Sequence, residues 1–201
     1  VFPAGGIDQL VISGEKGMRS EQKQGFANVK AGSVTLMRPD GSMLMLDPAS
    51  KTYWKQPAFS EAAAAAMAGV TPDVKIVKRG EFVTIEGMKA EHIKLQMTIQ
   101  VPGVDPAMAA QLGDMTMSYD VWLTDAVKSS SSATSIAGTV LKQMGMGALK
   151  ELNDGRMMLK GVMSMFGVEI VTTATGFKTE AVPASLFEVP ADYKEVAAQI
   201  K

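Results

Sequence analysis

The stretch EHIKLQMTIQV, residues 91–101, places Ile93, Leu95, Met97, Ile99 and Val101 on one side of an extended chain. His92, Lys94, Gln96, Thr98 and Gln100 fall on the other. A helix cannot gather either set onto one stripe, because a repeat of two is not a repeat of 3.6. Unbroken alternation predicts a strand with one dry and one wet face, as in an antiparallel sheet laid over a core. MTMSYDVWLT, residues 115–124, repeats the pattern: Met115, Met117, Tyr119, Val121 and Leu123 oppose Thr116, Ser118, Asp120 and Trp122. The dry face of 91–101 is expected to point towards covering helices, with Lys94 and Gln96 in solvent.

Tight turns extend the sheet reading upstream. RPDG (38–41) offers Pro and Gly where a type I turn prefers them, and DPAS (47–50) turns the chain again. Ser33–Arg38, Ser42–Leu46 and Lys51–Lys55 therefore read as a β-meander, with Thr52 and Trp54 on one face and Tyr53 on the other. Leu10–Ser13 and Met18–Lys23 read as a hairpin around SGEKG, and KIVKRGEFVTIEGMKA (75–90) as a broken strand pair bent at Gly80 and Gly87. Met157–Val162 and Phe166–Thr175 make a further hairpin after NDGR.

Two helices are expected between the strands. FSEAAAAAMAGVTP (59–72) has Ser60 as cap, Glu61 at the positive end, an alanine run, and Gly69 and Pro72 as stops. Ser135–Leu152 carries Ile136, Val140, Leu141, Met144, Ala148 and Leu152 on one stripe, behind the loop KSSSSAT (128–134). A short helical turn is expected in 102–114. The predicted class is α+β, one domain over 1–201, with a mostly antiparallel sheet.

Composition narrows the function classes. With 46% hydrophobic residues and a net charge of -1 the chain is a folding one, and its 20 Lys+Arg against 21 Asp+Glu form no basic stripe for nucleic acid. No cysteine is present, which removes disulfides, thiolate metal sites and thiol catalysis. No run of 18 or more apolar residues stands in the sequence, so no transmembrane segment is expected. No charged segment with an apolar core stands at Val1, so any export signal is expected to be already removed.

Catalytic motifs are missing. His92 is the single histidine and reads as an ordinary surface residue on the wet face of its strand. GMGALK (145–150) lacks the third glycine of a dinucleotide fingerprint, and no GxxxxGK[ST], GxSxG or HExxH occurs. Asp47 and Asp120 read as turn or solvated carboxylates. An enzyme is not expected, nor any cofactor, and no metal ligand set is assigned.

Methionine is the oddity, with 16 residues. Met43/Met45, Met115/Met117, Met144/Met146 and Met163/Met165 are Met-x-Met pairs, and on a strand two such thioethers share a face. Apolar filling is the ordinary reading. The same softness suits a surface that holds variable apolar ligands, and the thioethers suit a soft ion such as Cu(I).

GEKGMRSE (14–21), LMRPDGSMLMLDPASKTYW (36–54), GEFVTIEGMKAEHIKLQ (80–96), YDVWLT (119–124) and VPASLFEVPADYKEV (182–196) occur in this order. Together they resemble an uncharacterised family of bacterial exported proteins, a domain-of-unknown-function group related to lipoprotein carriers of the LolA type. The resemblance implies a curved, incomplete antiparallel barrel with helices over its concave face, and a periplasmic or otherwise exported protein. It implies no catalytic residue. The expected function is binding or carriage of a hydrophobic ligand, a lipid or acylated protein. The candidate lining is Met43, Met45, Trp54, Leu95, Met97 and Met117 from the sheet, and Ile136, Val140 and Met144 from the second helix. The alternatives are a methionine-rich Cu(I) protein, or a structural or interaction protein of the envelope without a pocket.

Overall fold

The computed structural model describes residues 7–25, 29–56, 71–100, 115–130, 154–165 and 168–197. Strands are numbered in chain order. β1 (Gln9–Gly14), β2 (Gly17–Gln22), β3 (Val34–Met37), β4 (Met43–Asp47) and β5 (Thr52–Gln56) are followed by β6 (Thr71–Ile85), β7 (Met88–Gln100), β8 (Met115–Lys128), β9 (Arg156–Met165) and β10 (Val168–Thr173). A 3-10 turn, Ala184–Phe187, and the short β11 (Lys194–Glu195) complete the described chain. Residues up to 56 and from 180 onward belong to one compact unit, and residues 71–129 with 154–179 to a second. The second unit is thus inserted into the first.

The first unit is a six-stranded sheet in the order β1-β2-β3-β4-β5-β11. Its turns are those the sequence calls for: Gly41 N–H donates to the Arg38 carbonyl at 2.9 Å across RPDG, and Ala49 N–H donates to the Asp47 carboxylate at 3.0 Å in DPAS. Alternation then puts Val34, Leu36, Leu44 and Leu46 on one face, all at most 3% exposed. Each such side chain contributes about 2 kcal/mol by leaving water. Tyr53, Val189 and Tyr193 pack against them, so the C-terminal segment covers this face. Phe187 seals the end: a Cβ on Gly14 would lie 2.8 Å from its ring carbons.

The second unit is a five-stranded antiparallel meander, β10-β9-β8-β7-β6. Ile85 and Met88 pair across a two-residue turn in which Glu86 has φ 50 and Gly87 φ 74. Positive φ at both positions is the type I′ geometry whose twist matches a hairpin, and glycine takes it without cost. The core is Ile93, Leu95, Val121 and Leu123, with Ile76, Tyr119 and Met158 against it. Gly161 leaves room for the Tyr119 ring, whose hydroxyl an added Cβ would meet at 3.0 Å and which donates to Met158 Sδ at 3.3 Å.

These sheets overturn the α+β half barrel. The strands divide into two separate sheets, neither closed, and the described residues contain no α-helix. The pairing shows why: β1 to β5 each bond to their neighbours in the chain, as do β6 to β10, and β5 takes β11 on its outer side instead of β6, so the two meanders do not merge into one curved sheet. Thr71 and Pro72, expected at the end of a helix, open β6, which runs through Gly80 as one bulged strand. The rest of the first expected helix, the turn in 102–114 and the whole of 135–152 lie outside the described residues. Among the described residues no helix is long and apolar enough to cross a membrane.

Candidate functional site

The register of the first sheet decides which methionines meet. Met18 opposes Met37, Met37 opposes Met43, and Met43 opposes Gln56. In the neighbouring row Ser20 opposes Thr35, Thr35 opposes Met45, and Met45 opposes Trp54. Directly opposed residues share a face, so these two rows form the reverse side of the sheet from Leu36 and Leu44. Met18, Met37, Met43, Met45 and Trp54 are all half-buried there. The Thr35 hydroxyl donates to Met45 Sδ at 3.2 Å. No charged side chain stands in either row of β2 to β5. The result is a neutral, polarizable patch built from side chains with many rotamers.

Met43, Met45 and Trp54 are thus brought together, joined by Met18 and Met37, which the sequence reading missed. Part of the signal was present: counting outward from RPDG aligns Met37 with Met43, whereas Met18 meets Met37 through the β2–β3 pairing, across a connection that no turn motif fixes. Leu95, Met97 and Met117 sit in the second unit instead. Met97 opposes Met117, both half-buried, whereas Leu95 is 2% exposed and belongs to the closed core. Ile136, Val140 and Met144 lie outside the described residues.

The second unit's other face holds a charged ladder. Glu81, His92, Trp122 and Lys160 are successive cross-strand neighbours on β6, β7, β8 and β9. The His92 and Trp122 rings stack at 4.5 Å with 6° between planes, and Lys160 Nζ stands 5.0 Å from the Trp122 ring. His92 Nε2 lies 2.6 Å from Asp120, which Lys94 also reaches at 3.1 Å. His92 is therefore no ordinary surface residue: its side chain is 14% exposed. An Asp–His pair becomes catalytic when a nucleophile meets the free ring nitrogen. Here Nδ1 faces Glu81 at 3.8 Å, so the ladder reads as sheet reinforcement. Asp47 holds its turn and pairs with Lys30 at 3.4 Å.

Among the described residues Glu91 is the buried charge. It is 8% exposed and accepts from Arg79 Nε and Gly80 N–H, both at 3.2 Å, and from Arg156 Nη1 at 2.5 Å. Burial pushes its carboxyl up, but the two guanidinium groups outweigh that and hold it below its ordinary value. Arg156 also pairs with Asp154 at 2.7 Å. Among the described residues no three His, Asp or Glu side chains are grouped to hold a metal ion. A recess of about 310 Å³ beside Gly14 and Phe187 is rimmed by Ser13, Glu15, Lys16 and Glu180.

No curated protein and no solved structure matches this chain. A family model described as a domain of unknown function, DUF4412, matches residues 1–193. The chain belongs to the DUF4412 family.

Proposed function

We propose that this protein is a non-enzymatic binder of a hydrophobic ligand in the bacterial envelope, and that an acyl chain lies along the methionine face of the first unit. The observation that carries the reading is the assembly of Met18, Met37, Met43, Met45 and Trp54 in two adjoining rows of one sheet face that hold no charged side chain. Flexible thioethers follow the shape of a chain that has no fixed conformation. Each buried methylene contributes about 0.8 kcal/mol, so about a dozen outweigh an association cost of several kcal/mol. The kinship in ligand chemistry with lipoprotein carriers, and an exported location, are parts of the same proposal and rest on the resemblance of sequence.

Displacement of a fluorescent long-chain fatty acid tests it. Wild type should bind saturably, Met37→Leu should bind equally well, and Met37→Asp should bind at least tenfold more weakly with an unchanged circular dichroism spectrum. Absence of saturable uptake by folded wild type refutes the reading.

A second reading is favoured by one observation, the unbroken row Met18–Met37–Met43 across three strands. Three neutral thioethers at adjacent cross-strand positions suit Cu(I). Met37→Leu separates the two ligands, since leucine keeps the apolar surface and removes the sulfur. Competition with a Cu(I) chelator that gives the same result for wild type and Met37→Leu eliminates the metal.

A further inference from the structure

The two edges of the second sheet are unlike. β6 carries Pro72, Lys75, Lys78 and Arg79, with register shifts between Ile76 and Glu81. Proline, lysine and bulges are the devices that stop an edge from pairing with another chain. β10, the opposite edge, reads VEIVTT and has none of them. Every residue of β10 is exposed, including Val168 at 41%, Ile170 at 43% and Val171 at 56%.

The ladder shows which backbone groups are open. Ala174 N–H donates to the Leu159 carbonyl at 2.8 Å, in register with Thr173↔Lys160 and Ile170↔Met163. Bonded and non-bonded pairs alternate in an antiparallel ladder. Val168, Ile170 and Thr172 therefore bond to β9, and Glu169, Val171 and Thr173 turn their N–H and C=O groups outward.

We propose that β10 is a self-pairing edge, joining two copies of this chain antiparallel about a two-fold axis at Val171. Such an axis stands perpendicular to the sheet and keeps each side chain on its own face. Val171 then opposes Val171 of the second copy, and Glu169 opposes Thr173, giving about six backbone hydrogen bonds. Shifting the register to place Glu169 opposite Glu169 sets like charges face to face. The one charge in the strand thus selects the register with the most hydrogen bonds. Ile170 and Val171, exposed in the single chain, are covered on both copies. The area is small, so the dimer belongs to the weak, reversible class.

The chain lacks cysteine, which makes cross-linking specific. Residues in a bonded antiparallel pair have Cα atoms about 5.5 Å apart, within disulfide reach. Val171→Cys should therefore oxidise to a covalent dimer. Glu169→Cys alone should not, being about 14 Å from its own copy, and mixing it with Thr173→Cys should restore cross-linking. In sedimentation experiments wild type should show concentration-dependent dimerisation that Val171→Pro abolishes. That proline removes an outward N–H and leaves the β9 ladder whole. Wild type that stays monomeric to its solubility limit, or Glu169→Cys that cross-links as fast as Val171→Cys, overturns the proposal. A Val171→Pro protein that still dimerises does the same.

Discussion

Replacing Glu91 tests the electrostatics of the second unit most sharply. The carboxylate is 8% exposed and accepts three hydrogen bonds, two of them from guanidinium groups. Removing one partner of a buried ion pair costs about 3–5 kcal/mol, because the other charge is left without compensation. Two features reduce that figure here. Arg79 has a side chain 49% exposed and recovers water, and Arg156 keeps Asp154. Glu91→Ala should therefore cost about 3 kcal/mol, and Glu91→Gln, which keeps one acceptor oxygen, about 2. Urea unfolding on a Trp54→Phe background measures this, since Trp122 then reports the second unit alone. The sign with pH follows from the direction of the shift. The folded carboxyl titrates below the unfolded value of 4.5, so its stabilisation is present above pH 4.5 and is lost as pH falls through the folded value. The gap between wild type and Glu91→Gln should accordingly narrow below pH 4.5. A gap under about 0.5 kcal/mol at pH 7, the range of ordinary surface substitutions, would refute the reasoning.

In the first unit, Leu36→Ala should cost about 3 kcal/mol in chemical denaturation, whereas Met37→Leu on the opposite face should cost under about 1. Gly87→Val places a β-branched residue at φ 74 and should lower the second unit's stability by about 1–2 kcal/mol, measured as a shifted urea midpoint with unchanged slope. His92→Ala should remove the ring stack, cost about 1 kcal/mol, and change the Trp122 emission even where the protein remains folded.

Strands and turns were legible because their signals are local. Alternation in 91–101 and 115–124, and turn residues at 38–41 and 47–50, each act within a few positions. Division into two sheets was not legible, since nothing in 33–55 or 91–124 states which strand pairs beyond its nearest hairpin. The methionine face was half legible: Met45 and Trp54 follow from the DPAS hairpin and Met37 with Met43 from RPDG, but Met18 needs the β2–β3 register, which no turn motif sets. His92 was misread because alternation reports polarity and not burial. Its neighbours across the ladder, Trp122 and Asp120, lie 30 and 28 residues away in sequence, and they shield it.

The insertion of one unit into the other has a consequence for the order of events during synthesis. β6 to β10 are complete once residue 173 has been made, and each pairs with a strand adjacent in the chain. The first unit begins earlier yet finishes later, because Phe187, Val189 and Tyr193 must arrive to cover Val34, Leu36, Leu44 and Leu46. A chain emerging from its N-terminus therefore carries an open apolar sheet through the whole production of the inserted unit. Pairing β11 with β5 closes a loop of more than a hundred residues, a contact that topology makes slow. The segment holding Phe187, Val189 and Tyr193 thus sets how long that surface stands unprotected, and stopping the chain at residue 179 would leave the second unit complete and the first without the side chains that cover its core.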